Sequence, residues 1–384
     1  MTILTGARVV TPTGVLPSGW VRVDGERITD VGATAPPDDG DLVGLNDKWL
    51  VPGFIDLHVH GGGGAWATSR DPAEVRRAVQ FHCGHGTTRT LLSVATASAP
   101  EMIAAAGTIA DLVDEGATSD GHVVGVHLEG PFLSGVRCGA QDPAWLVAPD
   151  PQLLDELIQA GRGSVRVVTL APELPGGIEM IRQLTDYGVT PAMGHSDGSY
   201  ADGAAAIDAG VRLATHLFNG MRPSHHRDPG LAGAALDDSR VICEIIADGA
   251  HLHESVIRFA VRAAGPSRIA LITDAIAAAG AEDGLWPFGS RRIRVSDGVA
   301  ELEDGSSLAG SILTMDVAFR RAVAAGVSVV DATAATSGVP ARLLGMDGET
   351  GSIEAGKAAD LVVLSPTFDV EAVMVAGRWV GEMA

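Results

Sequence analysis

Eight short apolar, β-branched runs recur along the middle of the chain: GFIDLHV, TTRTLLS, HVVGVHLEG, VRVVTLAPE, VTPAMGH, VRLATHLF, VICEIIAD and RIALITDA. They recur at roughly the length of a strand–helix unit. Helical stretches fall between them in DPAEVRRAVQFHCGHG, PEMIAAAGTIADLVDEG and SVIRFAVRAAG. Strands that alternate with helices predict a parallel sheet, and eight of them predict closure into a (β/α)₈ TIM-type barrel. An open, doubly wound sheet is the alternative. No GxGxxG follows the first run, which counts against it.

The two ends of the chain read differently. GWVRVDGERITDVG alternates apolar and polar residues about an Asp24-Gly25 turn, a strong hairpin signal. GSIEAGKAADLVVLSP and VEAVMVAGRWV, with its Ala376-Gly377 turn, repeat that pattern near the C-terminus. Chain ends commonly lie close together. The 384 residues therefore divide into a small β-sandwich domain built from residues 1–52 and 351–384, and a barrel over residues 53–350.

In a barrel the chemistry sits at the C-terminal ends of the strands. Those ends carry His58 and His60, Glu129, His195, His216, Asp248 with His251, and Asp274. Carboxylates and imidazoles are costly to bury without partners. His58 and His60 are two apart on a strand and so share one face. Alone, such a pair is either two hydrogen-bonded core histidines or the grip on one cation. Glu129, His195, His216 and Asp274 on the same barrel face favour the cation. Asp274 could instead cap an Ala-rich helix, but it closes the eighth strand, where chemistry belongs.

A formal net charge of −21 argues against nucleic acid or an anionic membrane as partner. An anionic substrate would need a local basic site, and NGMRPSHHRDPG packs Arg222, His225, His226 and Arg227 into one loop after the sixth strand. That loop is either a solvated basic segment or an anion contact. The N-terminus lacks a basic, apolar leader, and no run of about 18 apolar residues exists to cross a bilayer. Three dispersed cysteines, Cys83, Cys138 and Cys243, form no CxxC. A reducing cytoplasm is the expected setting.

PGFIDLHVHG, GVHLEGPFL, MGHSD, ATHLFNGMRP, PGLAGAAL, IADGAHLH, ITDAIAAAG and LAGSILTM resemble, in order, the N-acetylglucosamine-6-phosphate deacetylases of the amidohydrolase superfamily. The resemblance runs from about residue 45 to the C-terminus, and HLEGPF and THLFNGM are far more specific than HxH. It implies hydrolysis of the acetamide of N-acetyl-D-glucosamine 6-phosphate to D-glucosamine 6-phosphate and acetate. It also implies a metal held by Glu129, His195 and His216. Some members replace the first histidine pair; this chain keeps His58 and His60, which implies a second ion bridged by Glu129, with Asp274 near or on it as a further ligand. The fourth run offers no lysine to serve as a bridge. The ligand types suit Zn²⁺ first, with Fe²⁺ or Mn²⁺ as alternatives.

By the same resemblance, Asp274 takes a proton from the attacking water and returns it to the departing amine. Gln141 stands in a loop where many members carry histidine. Its neutral amide can donate a hydrogen bond but cannot become cationic, so it either polarises the carbonyl or orients the substrate. The Gly-rich segment LSGVRCGAQ is expected to move as a lid, with Cys138 a bystander. Arg227 and His251 would contact phosphate, assisted by the backbone of Asn219 and Gly220. Ala140, Ala250, Leu308, Ala309 and Gly310 would shape the sugar pocket. A homodimer is implied, with Arg227 reaching the neighbouring site.

Overall fold

The computed structural model describes residues 1–36, 40–116, 118 and 121–381. Eight parallel strands, numbered here β1 to β8, are Phe54–Val59, Thr87–Ala95, His122–Glu129, Val165–Leu170, Thr190–Met193, Leu213–Ala214, Ile242–Ile246 and Ile269–Ile272. Each pairs with the next in chain order, and all eight coincide with the apolar runs of the sequence. The circle closes where His60 N donates to Ala275 O (2.8 Å) and Asp274 N to His58 O (2.8 Å). Below that seam, Thr273 Oγ1 donates to Asp56 Oδ2 (2.5 Å). Strands covered on both faces need apolar residues throughout, and every residue of β1, β7 and β8 is buried.

The helices lie outside. Helix Pro72–Gly84 begins at Asp71, whose side chain accepts from Ala73 N, with proline in the first turn. Its buried Val75, Ala78, Val79, His82 and Cys83 repeat at helical spacing and face the barrel. Helices Ala99–Glu115 and Glu254–Ala264 fall on the other two stretches expected to be helical. The glycines after His60 have a packing reason. A Cβ on Gly62 would meet the Phe81 and His82 rings at 2.6 Å, and one on Gly61 would press on Ala277 N at 2.9 Å.

Strands from both termini form one hydrogen-bonded sheet of eight strands, joined where Leu361–Leu364 runs antiparallel to Trp49–Pro52. It folds around its own core, which includes Leu4, Val9, Val21, Ile28, Leu50, Leu361 and Met374. This is the small β-sandwich. Its Ala376-Gly377 turn has φ of 46° and 75°, as a type I′ hairpin requires. The first hairpin differs from expectation: Asp24 pairs with Arg27, so its turn is Gly25-Glu26, with Gly25 supplying the positive φ of 57°.

The alternation of strands and helices has no place for Gly284–Phe288, Arg291–Ser296 and Val299–Leu302, a three-stranded sheet inserted after β8. It has its own small core of Ile293, Val295, Ala300 and Leu302 against Ile276 and Ala309. The residues just after Asp274 form turns rather than a helix, so Asp274 caps nothing.

Candidate metal centre

Three of the strand-end residues leave their strands in the left-handed region: His195 (φ 47°), His216 (φ 30°) and Asp274 (φ 50°). Side chains with a Cβ rarely adopt that backbone, and such strain collects at functional sites. Here it turns each chain end inward over the barrel mouth. His58 and His60 reach the same point from one face of β1, and Glu129 from the last residue of β3.

Glu129 stands at the centre. Its Oε1 lies 2.9 Å from His195 Nε2 and 3.1 Å from His216 Nε2. Its Oε2 lies 3.2 Å from His60 Nε2. Asp274 Oδ1 is 3.3 Å from His60 Nε2 and 3.4 Å from His58 Nε2. Two ligand groups result, His58 with His60 and Asp274, and Glu129 with His195 and His216, each with donor atoms within 4.8 Å of one another.

The far side of the rings fixes which nitrogen faces inward. His195 Nδ1 donates to Arg137 O (3.0 Å) and His216 Nδ1 to Asn219 O (3.1 Å). Each ring therefore aims its Nε2 at Glu129, and the two Nε2 atoms lie only 3.0 Å apart. His58 Nε2 and His60 Nε2 face each other at 3.1 Å. Lone pairs and carboxylate oxygens so gathered repel unless a cation sits among them. Two donors on one tetrahedral Zn²⁺ lie about 3.3 Å apart, close to these separations. The residues fit a divalent ion in each group.

The electrostatics agree. Burial opposes charge on His60, yet Asp274 and Glu129 raise it to about 9. Burial likewise opposes ionising Glu129, and the surrounding imidazoles hold its carboxyl well below the usual range. For Asp274 burial is again outweighed, by His58 and His60, which hold it at about 2.

A cavity of about 220 Å³ opens above these ligands. Ala140, Gln141, Asn219, Gly220, His251, Leu308 and Gly310 line it, as do His60 and Asp274. His58 lies beneath its floor, fully buried. Ala250 and Arg227 are exposed and Ala309 is buried, and none of the three lines the cavity. Gly139, Ile276, Phe288 and Ser307 do, and none of these four stands out in the sequence. Phe288 arrives on the inserted sheet. An Asp297-Gly298 hairpin turn, with φ of 52° and 82°, is the one local signal that points to that sheet.

Both ends of the Gln141 amide are taken. Nε2 donates to Glu129 Oε2 (2.5 Å) and Oε1 accepts from Thr96 N (2.8 Å). Gln141 thus holds the central carboxylate. His251 Nδ1 pairs with Asp248 Oδ2 at 2.7 Å; burial disfavours its cation, and Asp248 more than restores it. Cys138 is a free thiol, partly exposed, and does not line the cavity.

A closed (β/α)₈ barrel with two histidine–carboxylate groups at the C-terminal ends of its strands defines a metal-dependent barrel hydrolase. The chain belongs to the amidohydrolase family, whose profile matches residues 49–380. It is 35% identical to the N-acetylglucosamine-6-phosphate deacetylase of Bacillus subtilis over 94% of this chain and 92% of that protein. It is also 35% identical to the N-acetylgalactosamine-6-phosphate deacetylase of Escherichia coli O157:H7, over 94% of this chain and 95% of the relative. The crystal structure of N-acetyl-D-glucosamine-6-phosphate deacetylase from Mycobacterium smegmatis superposes with a TM-score of 0.94 at 41% identity, covering 99% of this chain and 100% of that one.

Proposed function

We propose that this chain hydrolyses the acetamide of N-acetyl-D-glucosamine 6-phosphate, releasing acetate and D-glucosamine 6-phosphate in amino-sugar catabolism and recycling. The observation that carries the reading is Glu129 joining two histidine–carboxylate groups at the floor of one cavity. His58, His60 and Asp274 would hold one divalent ion, and Glu129, His195 and His216 the other. When bound, such ions supply the Lewis acidity that makes water a nucleophile near neutral pH and polarises an amide carbonyl. Zn²⁺ suits the nitrogen and oxygen ligands best, with Fe²⁺ or Mn²⁺ as alternatives.

The protein's own groups do the rest. Asp274 accepts the proton of the attacking water and passes it to the amine nitrogen as the C–N bond breaks. It can act as an acid only after it has acted as a base. Gln141 keeps Glu129 from rotating between the two groups. His251, whose protonated form Asp248 favours against burial, faces the cavity where an anionic substituent would lie. Asn219 and Gly220 offer backbone groups on the same wall.

Arg227 is the phosphate contact of a neighbouring subunit in a homodimer. Its exposure outside its own cavity supports this reading. The setting is cytoplasmic. The chain's few, dispersed cysteines, Cys83, Cys138 and Cys243, accord with a reducing compartment, and no helix among the described residues is long and apolar enough to cross a membrane.

The test is release of acetate by the metal-loaded protein from N-acetylglucosamine 6-phosphate and, in parallel, its galactosamine epimer. No acetate from either sugar would overturn the reading; preference for the epimer would reassign the substrate. Replacing His58 and His60 together by alanine should lower bound metal from about two equivalents toward one. Unchanged metal content would return that pair to a structural role.

A further inference from the structure

Glu244 is a carboxylate that the reaction above does not use. It lies at the centre of β7 and has no exposed surface. No lysine or arginine among the described residues pairs with it, and its Oε1 has no hydrogen-bond partner. A buried carboxylate so placed costs stability, so packing alone does not account for it. Its Oε2 meets two polar groups. One is His58 Nδ1 at 3.3 Å, and the other is the backbone N of His216 at 3.1 Å. Glu244 therefore touches one ligand residue from each half of the candidate centre.

The direction of the His58 ring follows. An Nδ1–H donated to Glu244 leaves the Nε2 lone pair pointing the other way. That is where His60 Nε2 stands at 3.1 Å and Asp274 Oδ1 at 3.4 Å. His195 and His216 have backbone carbonyls behind their rings. Of the four candidate histidine ligands, His58 is the one with a carboxylate there. A carboxylate behind a ligating imidazole both fixes its tautomer and makes it a stronger donor.

We propose that Glu244 is a positioning residue for the His58 half of the centre. It aims His58 Nε2 at the ion held with His60 and Asp274, and its bond to His216 N fixes the distance between the two halves. This rests on the two-ion reading above, and the experiment separates the two.

The parent, Glu244→Ala and Glu244→Gln proteins are loaded with Mn²⁺, and the equivalents retained against a graded chelator are measured. Spin coupling between paired ions is read by electron paramagnetic resonance. Glu244→Ala should loosen one ion by about 10- to 100-fold, abolish the coupled signal and leave the other ion as tight as before. Glu244→Gln keeps a carbonyl oxygen that can accept from His58, so it should loosen the same ion less. In a His58→Ala background, Glu244→Ala should have no further effect on metal. Two ions held by Glu244→Ala as tightly as by the parent would overturn the proposal, and so would equal loss of both ions. A single equivalent in the parent would instead overturn the two-ion reading, and this proposal with it. If Glu244→Ala does not fold, Glu244→Gln alone decides: both ions at parental affinity refute the proposal.

Discussion

The candidate ligand cluster at the strand ends and the basic loop after β6 belong to the same end of the barrel, yet they are held in opposite ways. In the cluster, every residue is buried and most rings are fixed from behind: His58 by Glu244, His195 by Arg137 O, His216 by Asn219 O. In the loop, Ser224 to Asp228 are all exposed. Backbone bonds between His225 and Asp228 (2.9 Å each way) close the turn. Among the described residues, the Arg227 side chain meets only the neighbouring His226 ring, at 2.7 Å. The difference follows from solvation. A buried ionic group must find its partners within the fold, so its geometry is complete in one chain. An exposed guanidinium is satisfied by water and takes a fixed direction only when an anion arrives.

The strongest way to break this comparison lies in the cluster. Asp274→Asn keeps the shape of the side chain and removes its basicity, and with it the proposed proton transfer in both directions. It should lower kcat by at least about 10²-fold, with a smaller change in KM, measured by acetate release. Turnover near the parental rate would make Asp274 a structural residue.

Next comes the loop. Arg227→Ala removes the charge-assisted contact to phosphate proposed above. It should lower kcat/KM for the phosphorylated sugar by about 10- to 150-fold and hardly change the slow reaction with N-acetylglucosamine itself. Mixing Arg227→Ala with Asp274→Asn subunits tests where the arginine acts. If sites are shared across a dimer, each heterodimer regains one competent site of its two. No recovery, with subunit exchange confirmed, would put Arg227 in its own subunit's pocket.

The same contrast explains which features are legible in the amino-acid sequence. Barrel strands are buried on both faces, so they stand out as apolar runs, and a histidine or carboxylate ending such a run is conspicuous. His58, Glu129, His195, His216 and Asp274 all come from that one rule. Polar residues inside the runs carry no such mark. Glu244 sits in VICEIIAD, and His127, which bonds Ser93 Oγ (3.0 Å) and Thr169 Oγ1 (2.8 Å), sits in GVHLEG. A rule about strand ends says nothing of an ionic layer beneath them. The engagement of Gln141 by both Glu129 and Thr96 depends on how two loops meet, and no local pattern encodes that. The glycines after His60 likewise owe their place to a distant contact, the helix that carries Phe81 and His82.

The smallest effect is expected from Arg222→Ala, and it sharpens the contrast within the loop itself. Unlike Arg227, Arg222 is already paired: its Nη2 lies 3.3 Å from Asp197 Oδ2 and its Nη1 3.3 Å from Asp228 Oδ2. Asp197 in turn holds Arg137, at 2.8 Å. A guanidinium already committed to two carboxylates is poorly placed to serve a phosphate, and partly exposed ion pairs contribute little to stability. Arg222→Ala should therefore change kcat/KM by less than about fivefold, and by the same factor for phosphorylated and unphosphorylated sugars. A loss as large as that of Arg227→Ala, confined to the phosphorylated sugar, would give the phosphate contact to Arg222. The exposed arginine would then be the bystander, and the contrast between a finished buried centre and an unfinished exposed loop would fail at its most specific point.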